Sequence, residues 1–335
     1  MDELLFPLAA VVTTFFLLIP LLTLVSRAAL GSSRRRAASW ASFGSEATFA
    51  WLVAPTLLPV LWLTSSALHQ SEPMRTAESC LIDHVEATTC IDTLLLLGLL
   101  LLGMAATVGL RLWREWPRTA LHQLEDEHEL VGRVMRIVEG DAHLRGLRIA
   151  VVRESTEPIY TLGLLRPTIV IDACFIRDGD PEVLHAALLH EHAHVAGFDT
   201  LRSFIVRLCL TANPAGALLR HDFERWRSAR EAVCDGEAVH RGGEPLALAE
   251  GIVRAAKFRC GGLAPHSAAL CGHSGAALKL RLALLLNGPP APVSTHGHVI
   301  LAVVVFAALA VPHIDSLGLL EHFHFEVERL LHSRL

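Results

Sequence analysis

The chain has 335 residues, of which 52% are hydrophobic, and its mean hydropathy is +0.43. This composition excludes an ordinary soluble domain and indicates a membrane protein with one folded domain beside its spans. The net charge is -5, from 29 basic and 34 acidic residues, so the chain lacks the positive field that direct binding of nucleic acid requires.

A helix needs about 20 apolar residues to cross a membrane, and the first third of the chain contains three such stretches. They cover residues 4–26, 47–68 and 93–110. A fourth stretch, residues 299–311, is shorter, and the alternative to a span there is a buried core helix. The predicted regions are three spans with short loops over residues 1–115, a polar domain over 116–295, a fourth span over 296–313 and a tail over 314–335.

The charges of the loops predict how these spans are oriented. Arginines follow the first span, as in Arg27 and Arg34, and the third span, as in Arg111, whereas the loop over residues 69–92 is acidic. Because positive loops stay inside the cell, the amino terminus, the 69–92 loop and the tail are expected outside, and the polar domain in the cytoplasm.

Two cysteines, Cys80 and Cys90, lie in the loop that is expected outside the cell. An oxidising compartment permits a disulfide between them, and two free thiols are the alternative.

The polar domain has the pattern of an α+β fold. A helical period covers residues 120–139, and short strands are predicted at 147–152 and 167–171. Between these strands, residues 158–165 form an extended stretch with a bend at Gly163. A further helix is predicted to begin at Asp180, Pro181 and Glu182 and to run to Gly197, because aspartate caps helices and proline suits the first turn.

The last three turns of this helix contain the run LLHEHAHVAG. His190 and His194 are four residues apart, about 40° around the helix axis, so both imidazoles project from one face and Glu191 leans over it. This HExxH spacing is typical of two zinc ligands with a glutamate as general base. His185 and His192 point away from that face.

A catalytic zinc site needs a third protein ligand. The metzincin extension is excluded because Thr200 stands where it requires histidine. The other option is Glu231 on a later helix, with Asp235 one turn beyond it to accept the second ring N–H of a ligand histidine. Such a pair alone is usually a solvated helix face, but its position downstream of HExxH favours the ligand.

The extended stretch over residues 158–165 precedes the HExxH helix and is the expected partner strand for an extended substrate, with Tyr160, Thr161 and Gly163 as its residues of interest. The Tyr160 hydroxyl has two readings. It either stabilises the oxyanion of the reaction or belongs to a structural tyrosine of a strand.

Several short motifs together resemble the BlaR/MecR-type membrane metallopeptidases. They are GLLRP at residues 163–167, HExxH followed by Asp199, the pair Asn213-Pro214, and REAVCD at 230–235. The resemblance implies a gluzincin-like zinc protease domain in the cytoplasm of a bacterium, between the third and fourth spans of an inner-membrane protein. It also implies one Zn2+ per chain, with Glu231 as third ligand and Asp199 and Asp235 beside the ligands.

The same resemblance implies regulated proteolysis of a transcriptional repressor of the BlaI/MecI type. The chain departs from the family pattern after the last span, where a short tail stands in place of a penicillin-binding sensor, so β-lactam sensing is not expected. The alternatives are a membrane quality-control protease and a non-catalytic zinc-binding receptor or scaffold. Glu191 favours an active enzyme, since a structural zinc site needs no general base. The expected partners are the lipid bilayer and a protein substrate, and a homodimer is left open.

Overall fold

The computed structural model describes residues 11–36, 43–70, 102–103, 105–106, 109–110, 128–153, 155, 157–261 and 268–287. Within these residues the chain is mostly helical and contains one sheet of three strands. Most of the predicted third span, the fourth span, the tail, Cys80 and Cys90 lie outside the described residues.

Two long helices match the first two predicted spans. Helix α1, Ile19–Arg36, continues from a π-helical turn at Thr14–Leu18, and helix α2 covers Glu46–Gln70. The segments Val11–Gly31 and Glu46–Leu63 are long and apolar enough to cross a membrane. The first helix extends beyond the predicted end at residue 26, because a helix satisfies its own backbone hydrogen bonds and needs no apolar side chains to continue.

The sheet follows helix α3, His128–Gly140. Its strands are β1 (Ile149–Val152), β2 (Ile159–Leu162) and β3 (Thr168–Asp172). Their order is β1-β3-β2, with β1 parallel and β2 antiparallel to the central strand, so β2 is an edge strand. The predicted strands are confirmed to within about two residues, and Gly163 bends the chain after β2 with a φ of 102°.

Helices joined by short loops form the rest of the described chain after the sheet. They are α4 (Ala173–Asp178), α5 (Pro181–Ala196), α6 (Asp199–Ala212), α7 (Arg220–His240), α8 (Pro245–Gly261) and α9 (Ala268–Leu286), with a 3-10 turn at Gly216–Leu219 before α7. The predicted start of α5 is confirmed. The carboxylate of Asp180 accepts a hydrogen bond of 3.1 Å from the backbone N–H of Glu182, and Pro181 is the first helical residue.

The hydrophobic side chains form two cores. The first core joins the sheet to α5 and includes Ile171 and Leu184, both fully buried. The second core joins α1 and α2 to α6 and α7 through residues such as Leu52, Val206 and Trp226. Helix α7 contributes to both cores, and therefore connects the apolar amino-terminal helices to the sheet.

Polar contacts also tie α6 to the two apolar helices. The side-chain amide of Asn213, just after α6, donates to the hydroxyl oxygens of Thr23 at 2.9 Å and Thr56 at 3.4 Å. The Thr56 hydroxyl donates to the carbonyl oxygen of Cys209 at 3.2 Å. These groups are buried, where an unpaired polar atom is costly, so the contacts fix how the end of α6 sits between α1 and α2. The predicted boundary at residue 115, between the spans and the polar domain, lies outside the described residues and stays a prediction.

Candidate metal centre and active site

Helix α5 places His190 and His194 next to each other, as their four-residue spacing predicts. Their Nε2 atoms are 3.2 Å apart, and the planes of the two rings make an angle of 80°. His190 is only 8% exposed. Both rings therefore direct an Nε2 atom toward the same small volume.

Glu231 on helix α7 completes this group from the opposite side. Its Oε2 lies 3.5 Å from Nε2 of His190, and its Oε1 lies 3.6 Å from Nε2 of His194. The three residues form a group that could hold a metal ion. Bond lengths of about 2.0–2.1 Å in a tetrahedral zinc site place neighbouring ligand atoms about 3.3 Å apart, so the spacing found here fits that site.

Each histidine has a carboxylate behind it. Oδ2 of Asp199 lies 2.9 Å from Nδ1 of His194. Oδ1 of Asp235 lies 2.9 Å from Nδ1 of His190, although off the line of a regular hydrogen bond. A carboxylate at Nδ1 holds the proton on that nitrogen and leaves the lone pair of Nε2 for a metal, which is the usual support of a ligand histidine.

Two arginines to which the sequence analysis gave no role neutralise these carboxylates. Arg281 on α9 donates from Nε at 2.7 Å and Nη2 at 2.8 Å to Asp235, and its Nη1 lies 3.1 Å from Oε2 of Glu231. Arg230 on α7 donates from Nη2 to Asp199 at 3.0 Å. No local pattern indicates Arg281, because 46 residues separate it from Asp235.

Residues around Asp199 are packed closely. A Cβ atom at Gly197 would come within 2.8 Å of Nη2 of Arg230, so glycine leaves the space for the Arg230 side chain. The thiol of Cys234 lies 3.4 Å from Nδ1 of His194. His194, Asp199 and Cys234 form a second group with metal-ligand atoms, but Arg230 already occupies the carboxylate of this group.

The charges of the site shift the pKa values of its ionisable groups in the protein without metal. Burial alone would lower the pKa of His190 and His194, but the neighbouring Asp235, Glu231, Cys234 and Asp199 raise both pKa values, and that of His194 lies well above 6.5. Burial alone would raise the pKa of Glu231, but the charge of Arg281 and of the two imidazoles holds it well below 4.5. The site therefore favours an ionised carboxylate beside two basic imidazoles.

Glu191 faces the edge strand. The hydroxyl of Thr161 on β2 donates a hydrogen bond of 2.8 Å to Oε2 of Glu191, which is 6% exposed. The carbonyl of Gly163 accepts a hydrogen bond of 2.7 Å from the hydroxyl of Thr200. Tyr160 lines the same cavity as Glu191, and its hydroxyl is buried without a hydrogen-bond partner among the described residues.

A cavity of about 340 Å³ opens beside Glu191, His194 and Glu231. The whole of β2 lines one wall, and residues from α6 and α7, including Phe204 and Trp226, line the other. The cavity thus extends from His194 and Glu231 to β2, the outer strand of the described sheet.

Residues 14–283 match the family model described as BlaR1 peptidase M56. The chain belongs to the M56 peptidase family. No curated protein and no solved structure matches the chain significantly. The members of this family are membrane-associated metallopeptidases, which agrees with the two apolar helices and with a group of residues that could hold a metal ion.

The remaining histidines of α5 in this M56 peptidase have other partners. Nε2 of His185 lies 2.7 Å from Oδ2 of Asp141, and Nδ1 of His192 lies 2.6 Å from Nη1 of Arg241. Both rings lie away from His190 and His194, as predicted from the helical period. The structure brings together six of the predicted residues: His190, His194, Glu231, Asp199, Asp235 and, in the adjoining cavity, Glu191.

Proposed function

We propose that this M56 peptidase is an integral-membrane zinc endopeptidase in which His190, His194 and Glu231 bind one Zn2+. The observation that supports this proposal is the convergence of two Nε2 atoms and one carboxylate at distances of 3.2 to 3.6 Å. Glu191 lines the same cavity as His194 and Glu231, which supports its proposed role as the general base.

The residues of the chain have distinct tasks in this mechanism. When bound, zinc supplies a Lewis acid that lowers the pKa of its water and polarises the scissile carbonyl. The carboxylate of Glu191 takes a proton from the water and transfers it to the leaving amine. Thr161 holds that carboxylate by donating to Oε2. Asp199 and Asp235 keep the two imidazoles oriented.

A peptide substrate is proposed to bind in extended form along β2. One edge of this strand pairs with β3, and the cavity lies along the strand beside Glu191. A peptide that adds as a further strand forms hydrogen bonds with the backbone of the edge strand. These bonds give affinity that does not depend on the peptide sequence. The carbonyl of Gly163 already accepts from Thr200, so this pairing ends at the bend after β2.

The wider function that we propose is regulated proteolysis of a cytoplasmic repressor of the BlaI/MecI type in a bacterial inner membrane. Family membership supports this function, and the arginine-rich loops support a cytoplasmic protease domain with four spans around it. The exposed Cys174 provides a test of the orientation. A membrane-impermeant thiol reagent should label Cys174 in inverted vesicles but not in intact cells. If intact cells are labelled and the label is lost in Cys174→Ser, the cytoplasmic placement is overturned.

Purified protein in detergent tests the chemistry. Wild type should contain one zinc ion per chain and cleave a library of unstructured peptides. Glu191→Gln should retain the zinc and lose about 10²–10⁴-fold in rate, which is what a general base contributes. His190→Ala should lose both. Cleavage by Glu191→Gln at the rate of wild type would refute the mechanism, and zinc without any cleavage in wild type would favour the non-catalytic receptor.

A further inference from the structure

The amino-terminal end of α2 lies directly against the helix that carries Glu231. A Cβ atom added to Gly44 would come within 2.9 Å of the carbonyl carbon and oxygen of Ala229, so the backbone of the segment before α2 contacts the backbone of α7. Phe43 adds its ring to the second core, where it is 2% exposed. These contacts lie two residues before Glu231 in the chain.

An ion pair connects the same end of α2 to α6. Oε1 of Glu46 lies 2.6 Å from Nη1 of Arg202, and the two side chains are only 14% and 17% exposed. The guanidinium group of Arg202 also lies 5.9 Å from the centre of the Phe49 ring. Because a partly buried pair is less screened than one in water, this contact is a stronger link than an ordinary surface ion pair.

Arg202 in turn reaches the carboxylate that supports His194. Its Nη1 lies 3.8 Å from Oδ1 of Asp199, and Oδ2 of Asp199 lies 2.9 Å from Nδ1 of His194. Arg230 makes a shorter contact with Asp199, at 3.0 Å. The chain of charged groups therefore runs from the first turn of α2 to a candidate ligand.

The charges along this chain balance. Two carboxylates, Glu46 and Asp199, face two guanidinium groups, Arg202 and Arg230. Without the charge of Glu46, Asp199 becomes the nearest carboxylate to Arg202 as well as to Arg230. Its oxygens are then drawn away from Nδ1 of His194, and the proton that orients this imidazole loses its acceptor.

We propose that Glu46 and Arg202 are positioning residues of the metal site, which make the orientation of His194 depend on the place of helix α2. This inference rests on the proposed zinc site. It assigns a task to one end of a helix that is long and apolar enough to span a membrane. A displacement of that helix would change the support of His194 and the place of Glu231 together, because α2 contacts both α6 and α7.

The test uses the full chain in detergent and measures the release of zinc to a chelator. Glu46→Gln should release zinc about tenfold faster than wild type, the lower end of the effect of removing a group behind a ligand. Glu46→Asp should restore part of the difference. The exchange of the two charges in Glu46→Arg with Arg202→Glu should not restore it, because a carboxylate at position 202 would then face Asp199.

Two further measurements separate positioning from general stability. Cobalt in place of zinc should show a changed visible spectrum in Glu46→Gln, because its bands depend on ligand geometry. Glu237→Gln is the matched control, since it removes an exposed carboxylate of α7 that pairs with Arg241 at 3.4 Å. This variant should release zinc at the rate of wild type.

Each outcome bears on one proposal. If wild type binds zinc and Glu46→Gln releases it at an unchanged rate, with an unchanged cobalt spectrum, the positioning role is refuted. A lower unfolding temperature with unchanged zinc release also refutes it. If Glu46→Gln does not fold, Arg202→Gln breaks the same chain from α6 and gives the same readout. Wild type that binds no zinc refutes the proposed function instead.

Discussion

Replacement of Arg281 by methionine removes a guanidinium group that lies between two carboxylates of the site. The Asp235 carboxylate, 2% exposed, loses two hydrogen bonds of 2.7 Å and 2.8 Å. Glu231 loses a contact of 3.1 Å, but its side chain is 40% exposed, so water compensates for much of that loss. Methionine keeps an apolar stem of similar length in the helix.

The expected loss of unfolding free energy follows from the burial of Asp235. Removal of one partner from a buried ion pair costs about 3–5 kcal/mol, because the other charge stays buried. His190 remains 2.9 Å from Asp235 and offers a second positive partner. We therefore expect a loss of about 3 kcal/mol for the zinc-free protein at neutral pH, the lower end of that range.

The effect should depend on pH in one direction. Burial raises the pKa of Asp235, but the charge and hydrogen bonds of Arg281 hold it below the usual 3.8. A carboxyl group with a lowered pKa stabilises the folded protein above its unfolded pKa, and this contribution disappears as the pH falls through the folded pKa. The difference between wild type and Arg281→Met should therefore be largest near neutral pH and smaller below pH 3.8.

Equilibrium unfolding in denaturant, with chelator present and detergent constant, measures this difference. Arg254→Met is the control, because it breaks the more exposed pair with Glu250 and should cost about 0–1 kcal/mol. A loss below 1 kcal/mol for Arg281→Met, or a loss that grows toward acid pH, would show that Arg281 does not neutralise a buried Asp235.

Three further predictions concern the metal, the base and the fold. The pKa values of His190 and His194 are raised, so zinc must displace protons from these imidazoles. The apparent zinc affinity, measured by chelator competition, should therefore fall as the pH is lowered from above 6.5, by about tenfold per pH unit for each proton displaced. An affinity that does not change with pH would contradict this. Thr161→Val should lower the peptidase kcat by about tenfold with the zinc content unchanged. Thr161→Ser keeps the hydroxyl that donates to Glu191 and should match wild type. Equal rates in the two variants would exclude a positioning role of this hydroxyl. Gly216→Ala should lower the unfolding free energy by about 1–3 kcal/mol, because the added methyl group would overlap the carbonyl oxygen of Leu210 in α6. An unchanged unfolding free energy in denaturant would contradict this packing.

Local patterns in the sequence predicted the elements that carry the site. The aspartate, proline and glutamate at residues 180–182 determine where α5 begins, because a cap and a fixed φ act within one turn. The four-residue spacing of His190 and His194 then places both rings on one face. The same reasoning paired Glu231 with Asp235, and the structure places both beside His190.

Contacts between distant parts of the chain were not predictable in this way. Arg281 lies in a mostly apolar part of α9, two residues after Lys279, and Glu46 stands at the start of an apolar stretch. Neither residue belongs to a period or a motif, because a salt bridge across 46 or more residues depends on how whole helices pack. The two hydrophobic cores that fix this packing contain residues from both ends of the described chain.

The candidate ligands lie on two helices that share the first core, and one of them, α7, also packs in the second core. His190 and His194 belong to α5, which packs in the first core against the sheet. Glu231 belongs to α7, which is held by Trp226 and Ala229 in the second core with the apolar helices. A metal bound by all three would fix the distance between these cores to within a few tenths of an ångström, the tolerance of coordination bonds. Conversely, a movement of α2 that shifts α7 by about 1 Å would take Glu231 out of ligand distance. Through Glu46, Arg202 and Asp199, the same movement would change the support of His194.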